Sequence, residues 1–387
     1  MSISIGLIAQ TIEKIAPKSW AEEWDNVGLL VGDYGTKVER ILLTLDLTPQ
    51  VIEEAREKNA KLIVAHHPIL FRPLKNLRSD NQSANLPIQL LKEDIAYYAA
   101  HTNLDQSHLS AARSIGEALG LEKMEIFDDK GGAKLVKLVT FVPQDSTEKV
   151  REALAKVGVG EGITDGPNSA EYSECFYEGE GTGMFRPLAG ANPTIGEIGE
   201  LTKVAETRLE SILPEAIMGK AIRALKKAHP YEEPAYDLYP LYNQGPSRGY
   251  GVVGYLPEPL SLENCAQKLS TCLEELAPST LNTKPNLRLA GSGKEIKKIA
   301  IVNGSGGSYV KKALFQGVDL LITGDVDHHE ALDALESGLN IIDMGHFWGE
   351  VPMVKSLGEY LANEKALAGA EILISENLKS PWLDLKF

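Results

Sequence analysis

The chain is poor in cysteine and in positive charge, and it has no long hydrophobic run. Its three cysteines, Cys175, Cys265 and Cys272, form no CxxC pair and are too few for a disulfide framework, which favours a reducing compartment. Lys and Arg total 39 against 54 Asp and Glu, and the net charge of −15 disfavours nucleic acid and anionic membranes as partners. No apolar run approaches the ~20 residues of a membrane span. The N-terminus lacks a basic leader, so we expect a cytoplasmic protein.

Motifs of nucleophilic catalysis and of phosphate binding are also missing. The chain has no GxSxG segment and no cysteine in a nucleophile motif, so serine or cysteine catalysis has no support. Asn303-Gly-Ser-Gly-Gly precedes a predicted helix but lacks the Lys-Ser/Thr end of a P-loop. An anion cradle and a tight strand-to-helix turn explain these glycines equally well.

Both ends of the chain alternate strand and helix patterns. Short apolar runs separated by helical segments predict parallel strands, and therefore an α/β fold. We expect one sheet assembled from two similar halves. The runs are 41–47, 61–68 and 95–101 in the first half, and 297–304, 318–325, 340–346 and 370–376 in the second.

The middle of the chain follows a different order. It predicts strand, helix, strand, strand, helix and strand, the βαββαβ order of a ferredoxin-like α+β unit. Linker-like segments, GGAK and NQGPSRG, flank this region. The 387 residues are thus predicted to form a split α/β domain, 1–129 and 243–387, with an inserted domain at 130–242.

Histidines and carboxylates follow the predicted strands. Ligands of open parallel sheets bind beyond the carboxyl ends of the strands, and His with carboxylate there is typical of a metal site. The residues in question are Asp46, His66, His67, His101, Asp105, Asp325, His328, His329, His346 and Glu350.

Each group also has a structural interpretation. His66 and His67 could be a loop pair with one buried, hydrogen-bonded ring, and Asp105 could be a turn or N-cap residue. His346 and Glu350 are spaced i, i+4 and would share one face of a helix. They could bind the same ion, or they could be solvent-exposed residues at the start of a helix, where Glu350 is favoured by the positive N-terminus. The last group consists of Asp325, His328 and His329. These side chains could orient metal ligands or transfer protons, or they could simply lie at the start of a helix.

Taken together, these segments resemble the Nif-three-like dinuclear metal centre family, the GTP cyclohydrolase 1 type 2 homologues. The resemblance spans the whole chain. It is carried by AEEWDNVGLLVG (21–32), VAHHPILF (64–71), HTNLD (101–105), ITGDVDHHEALDA (322–334) and DMGHFWGE (343–350). The middle region, with GEGTGMFRPLAGANP and AHPYEEPAYDLYPL, is similar to the PII/CutA-type insert of the family's longer members.

The resemblance implies a ligand set and an assembly. The family's metal ligands match His66, His67, Asp105, His346 and Glu350, with the glutamate bridging two ions. It also implies a toroidal homohexamer whose metal sites face an internal cavity.

The expected chemistry is hydrolysis. Two divalent cations with imidazole and carboxylate ligands suit Zn, Fe, Mn, Co or Ni, and open coordination positions would admit water and substrate. The resemblance narrows the substrate to a nucleotide, through opening of the GTP imidazole ring with release of formate. Glu350 is expected to be catalytic, and His101, His328 or His329 to carry the proton. The alternative is a regulatory or scaffold protein, stabilised by metal and without turnover, whose PII-like insert senses a ligand.

Overall fold

The computed structural model describes residues 2–161, 172–281, 283–291 and 293–382. Contacts within the chain divide it into two compact units: Met1–Asp129 together with Gly249–Phe387, and Lys130–Arg248. The partition into domains at 1–129, 130–242 and 243–387 stays a prediction. None of the described helices is long and apolar enough to cross a membrane.

Strands and helices alternate through most of the described chain. The strands are β1 (Ile3–Ser4), β2 (Gly28–Val31), β3 (Lys37–Val38), β4 (Arg40–Thr44), β5 (Leu62–Ala65), β6 (Ala96–Ala99), β7 (Glu122–Pro143), β8 (Phe176–Phe185), β9 (Thr202–Pro214), β10 (Tyr236–Leu260), β11 (Arg288–Ala290), β12 (Ile296–Ser305), β13 (Leu320–Gly324), β14 (Asn340–Asp343) and β15 (Glu371–Ile374). The helices are α1 (Ile5–Ile15), α2 (Pro49–Glu57), α3 (Gln82–Lys92), α4 (Thr102–Asp105), α5 (Ala111–Ala118), α6 (Thr147–Ala155), α7 (Met218–Ala228), α8 (Leu262–Leu276), α9 (Val310–Phe315), α10 (His328–Glu336), α11 (His346–Glu350) and α12 (Pro352–Asn363).

One sheet of the first unit joins the first half of the chain to its last strand. The strand order is β15-β4-β5-β6-β2, in which β15, β4, β5 and β6 run parallel and β2 pairs antiparallel with β6. Every residue of β5 and β6 is buried, as is usual for parallel strands covered on both faces. The apolar runs predicted for 41–47, 61–68 and 95–101 therefore form the centre of this sheet.

Apart from β15, the second half of the chain places its parallel strands in another sheet. Here β12, β13 and β14 run parallel, β11 pairs antiparallel with β14, and β10 pairs antiparallel with β12. The expectation of one sheet built from both halves is wrong. Side chains of α1, α5, α8 and α12 share one core with β4, β5, β12 and β13, so each half covers an apolar face with helices and not with strands of the other half.

The second unit has the predicted βαββαβ order. Its elements follow as β7, α6, β8, β9, α7 and β10, and the strands lie in the order β8-β9-β7-β10. Strands β7 and β8 both pair antiparallel with β9. Its core combines strand residues such as Leu138 and Leu209 with Val150 and Leu225 of the two helices.

A buried carboxylate joins helix α2 to the segment that follows the last strand. Glu54 is 5% exposed, and it accepts hydrogen bonds from Ser375 Oγ at 2.6 Å and from the Glu376 N–H at 2.8 Å. Asn377 Nδ2 and Lys58 Nζ donate to it at 2.9 and 2.8 Å. Burial acts to raise the pKa of Glu54, but these donors outweigh burial and lower the pKa below its ordinary value. The ionised carboxylate therefore stabilises the folded chain.

We expect Glu54→Gln to lower the free energy of unfolding by about 1–3 kcal/mol at neutral pH, because the amide keeps the shape but loses the charge that binds these donors. A carboxyl group with a lowered folded pKa contributes stability above its unfolded pKa, and loses it as the pH falls through the folded pKa. The difference from wild type should therefore shrink below the ordinary pKa of 4.5, as measured by urea unfolding across a pH series. Glu57→Gln, at an exposed position of the same helix, is the control. A deficit that persists unchanged under acid conditions would contradict this role.

Candidate metal centre

The carboxyl ends of parallel strands in the first unit bring the predicted site residues together. In this region the chain changes from strand to loop or helix, and ligands of parallel sheets bind there. Asp46 follows β4, His66 and His67 follow β5, and His101 follows β6 directly before α4. From the second half of the chain, Asp325 follows β13, and α11 begins at His346 and ends at Glu350.

Four imidazole rings form a compact cluster. The ring centroid of His66 lies 5.0 Å from the ring centroids of both His67 and His101. The ring centroid of His67 lies 5.5 Å from that of His101 and 5.4 Å from that of His346. Two overlapping groups have donor atoms within 4.8 Å of one another: His66 with His67 and His101, and His67 with His346 and Glu350. Either group could hold a metal ion, and His67 belongs to both.

Each of these histidines is oriented by an oxygen at its Nδ1 atom. His66 Nδ1 lies 2.8 Å from the Ala100 carbonyl oxygen, and His67 Nδ1 lies 2.8 Å from Asp46 Oδ1. His101 Nδ1 lies 2.9 Å from Asp25 Oδ1, and His346 Nδ1 lies 2.7 Å from Asp325 Oδ2. An Nδ1 that donates to an oxygen leaves the Nε2 of a neutral ring as a lone pair, which is the arrangement of a metal-binding histidine.

Glu350 faces these nitrogens from a buried position. It is 3% exposed, and its Oε2 atom lies 3.1 Å from the Nε2 atoms of both His67 and His346. Its Oε1 atom lies 3.7 Å from His66 Nε2. Neither His66 Nε2 nor Glu350 Oε2 has a hydrogen-bond donor, although both atoms are buried. Acceptors facing acceptors in a buried space need a proton or a cation between them, so the donor set fits a metal.

Asp105 adds a second buried carboxylate on the His66 side. It is 7% exposed, its Oδ1 atom lies 3.6 Å from His66 Nε2, and it accepts a hydrogen bond from Asn303 Nδ2 at 2.7 Å. Burial raises the pKa of Asp105, although His66 acts to lower it. Asn303 orients the carboxylate, and a Cβ at the next residue, Gly304, would collide with Glu350. Close packing thus accounts for the first glycine of the Asn303-Gly-Ser-Gly-Gly segment.

The cluster binds protons strongly. Burial acts to lower the pKa of His67, but Asp46 and Glu350 outweigh burial and raise the pKa to about 10. The hydrogen bond to Glu350 raises the pKa of His346 to about 9. Burial acts to raise the pKa of Glu350, yet the histidines hold that pKa well below its usual range. Because a cation at this position competes with these protons, its affinity falls as the pH is lowered.

The structure brings the five residues of the implied ligand set into one region, and it adds His101 to them. His328 and His329 are exposed at the start of α10, with their rings 5.5 Å apart, and they belong to neither donor group. Asp327 caps that helix through the Glu330 N–H. The sequence reasoning missed Asp25, which holds His101 from 76 residues away. Asp25 lies within the segment 21–32, which is one of the segments that carry the family resemblance, and this could have identified it.

Comparison with known proteins assigns the chain to a family. A family model described as Duf34/NIF3 (NGG1p interacting factor 3) matches residues 3–381. The chain belongs to the Duf34/NIF3 family. The resemblance inferred from the sequence segments is therefore confirmed.

Similar proteins match this chain over most of their length. A protein of Halalkalibacterium halodurans named "GTP cyclohydrolase 1 type 2 homolog" is 42% identical over 88% of this chain and 87% of its own. A protein of Bacillus subtilis with the same name is 38% identical over 97% of both chains. The crystal structure of a Bacillus cereus protein related to NIF3 has a TM-score of 0.78 and 36% identity, and covers 98% of both chains.

We expect Asp25→Asn to weaken metal retention by about 10–100-fold, because the amide no longer fixes the His101 ring with a charged acceptor. Retention is measured as metal content by mass spectrometry after dialysis against graded concentrations of a chelator. Asp80→Asn, which changes an exposed carboxylate paired with Arg78, is the matched control. Equal metal loss from the Asp25 variant and from the control would show that Asp25 does not support the centre.

Proposed function

We propose that this protein is a metal-dependent hydrolase that acts on a nucleotide and uses two divalent cations drawn from Zn, Fe, Mn, Co and Ni. The position of Glu350 is the observation that carries the proposal. Its two carboxylate oxygens face different histidines, Oε1 towards His66 and Oε2 towards His67 and His346. A carboxylate placed in this way suits a bridge between two ions.

The remaining ligands divide into two sets around that bridge. His66, His101 and Asp105 would hold one cation, and His67 and His346 the other. His101 is proposed here as a ligand, since it shares a donor group with His66 and His67, and its Nδ1 atom is held by Asp25. His328 and His329 have no part in this proposal.

Bound divalent cations would supply a water activated near neutral pH and would polarise the bond under attack. The chain's own residues position these ligands. Asp46 and Asp325 fix the rings of His67 and His346, and Asn303 fixes Asp105. The burial of Glu350 and His66 keeps solvent from that side of the cluster.

A planar substrate is supported by two exposed aromatic side chains beside the cluster. The rings of Trp24 and Phe71 lie 5.6 Å apart, and Trp24 lies 6.1 Å from the His101 ring. They are 57% and 48% exposed, so their faces are open to a ligand. An aromatic surface of this kind stacks well on a nucleobase. Together with the relatives' name, it favours GTP as the substrate. The family resemblance supplies the proposed reaction, which is hydrolytic opening of the imidazole ring with release of formate.

Replacement of Glu350 by glutamine tests the hydrolase. We expect Glu350→Gln to reduce turnover of GTP by at least about 100-fold, because removing a charge that holds both cations disrupts the attacking water. The measurement is product detection by liquid chromatography and mass spectrometry, on metal-loaded protein whose fold is checked by circular dichroism.

Two outcomes would redirect this proposal. Equal turnover by the variant and the wild type would end the assignment of Glu350. If no nucleotide in a panel is consumed by the metal-loaded wild type, while chelation lowers its melting temperature, the metal-stabilised scaffold becomes the better explanation.

Replacement of Trp24 tests the nucleobase surface. We expect Trp24→Ala to raise KM for the nucleotide about tenfold with metal content unchanged, because base stacking contributes ~1–3 kcal/mol per base. Trp24→Phe should retain most of the affinity and serves as the control. A change in kcat without a change in KM would argue against stacking.

The resemblance also supplies proposals for the middle region and the assembly. We propose that residues 130–242 form a PII/CutA-type insert, which is supported by the βαββαβ order of this unit. We further propose a cytoplasmic, toroidal homohexamer. Light scattering should then give six times the chain mass of 42.1 kDa, and a monomer would refute the assembly.

A further inference from the structure

The second unit contains a cavity that the proposed hydrolase does not use. Its volume is about 880 Å³, which is within the range of pockets for small organic ligands. It is lined by β8, by residues of the segment that follows β8, by β9 and by residues 231–235. A hydrolytic centre in the first unit gives no reason for such a space.

The charges that line this cavity are mainly negative. Four glutamates contribute to it: Glu180, Glu206, Glu232 and Glu233. Among the described lining residues, Arg208 alone is cationic, and its guanidinium is paired with Glu210, which lies outside the lining. A cavity with this balance repels phosphates and attracts cations.

Glu206 is the innermost of these carboxylates. It is 7% exposed, and its Oε1 atom accepts a hydrogen bond from Tyr231 Oη at 2.7 Å. Among the described residues, its Oε2 atom makes no hydrogen bond or ion pair, and Glu206 belongs to the lining of the cavity. A Cβ at Gly183 would collide with this carboxylate, so the neighbouring strand β8 has no side chain at this position. A carboxylate that lines a cavity without a countercharge is available to pair with a bound cation.

Aromatic rings complete the lining. Phe185 and Tyr231 lie 5.5 Å apart in an edge-to-face arrangement, and the Arg208 guanidinium already lies 5.9 Å from the centre of the Phe141 ring. Aromatic faces bind ammonium groups and also cover the methylene groups between them. Carboxylates at several points of one cavity match a ligand with several separated positive charges.

We propose that this cavity binds an organic cation of the polyamine class, with Glu206 as the inner anchor for one ammonium group. The exposed carboxylates Glu180, Glu232 and Glu233 pair with the outer ammonium groups. The ligand's methylene groups lie against the rings of Phe185 and Tyr231.

The test is calorimetric titration of the full chain with spermidine at about 150 mM salt, where weak attraction to the acidic surface is screened. We expect one saturable site per chain. Glu206→Gln should weaken binding at least tenfold, because a buried charge pair is lost. Glu215→Gln removes the same charge from an exposed position of this unit outside the lining, and should leave binding unchanged.

Two further variants distinguish a loss of binding from a folding defect. Glu233→Gln changes an exposed rim residue and should weaken spermidine two- to fivefold. Tyr231→Phe keeps the carboxylate and should keep binding within threefold. The proposal is overturned if spermidine shows no saturable site, or if it binds wild type and the Glu206→Gln variant equally. Displacement of spermidine by equimolar MgCl₂ would also overturn it, since the site would then be one for an inorganic ion.

Discussion

The structure of the candidate centre depends on one electrostatic constraint, which is a buried glutamate that shares a small space with imidazole nitrogens and needs positive charge beside it, from protons or from a cation. Each of the four rings uses Nδ1 to donate to an oxygen. The Nε2 atoms of His66, His67 and His346 face Glu350. Such a group is unstable without positive charge at its centre. Asp25, Asp46 and Asp325 orient the imidazole rings, and they thereby hold the groups that surround this charge in a fixed geometry.

Much of this centre could be predicted from the sequence, because strand ends are readable. An apolar run that stops at a polar residue identifies both the strand and the edge of the sheet where its next side chain lies. This reasoning gave a wider set of candidates, which included His328 and His329. The family resemblance then singled out His66, His67, Asp105, His346 and Glu350 as the implied ligands. It could not distinguish His101 as part of a donor group from His101 as a proton carrier, since that difference depends on a ring orientation set by Asp25.

The fold shows the same division between local and distant information. The order of elements in the second unit followed from periodicity alone, since each strand and helix has its own pattern. The pairing of strands did not, because the buried runs of β4, β5, β12 and β13 are equally apolar and suit either one sheet or two. The helical segment after β14 is divided at Val351 into α11 and α12. Pro352 takes the first position of the second helix, where its missing N–H costs nothing.

The pairing of β15 with β4 affects how the molecule is made. Residues 371–374 are hydrogen-bonded beside residues 40–43, so β4 is synthesised long before the strand that pairs with it on this side. At ~5–20 residues per second, a ribosome takes tens of seconds or more to synthesise the intervening chain. During that interval the edge of β4 is open, and the nascent chain must avoid pairing it with another strand. The second unit, continuous in sequence, is free to fold before the first is complete.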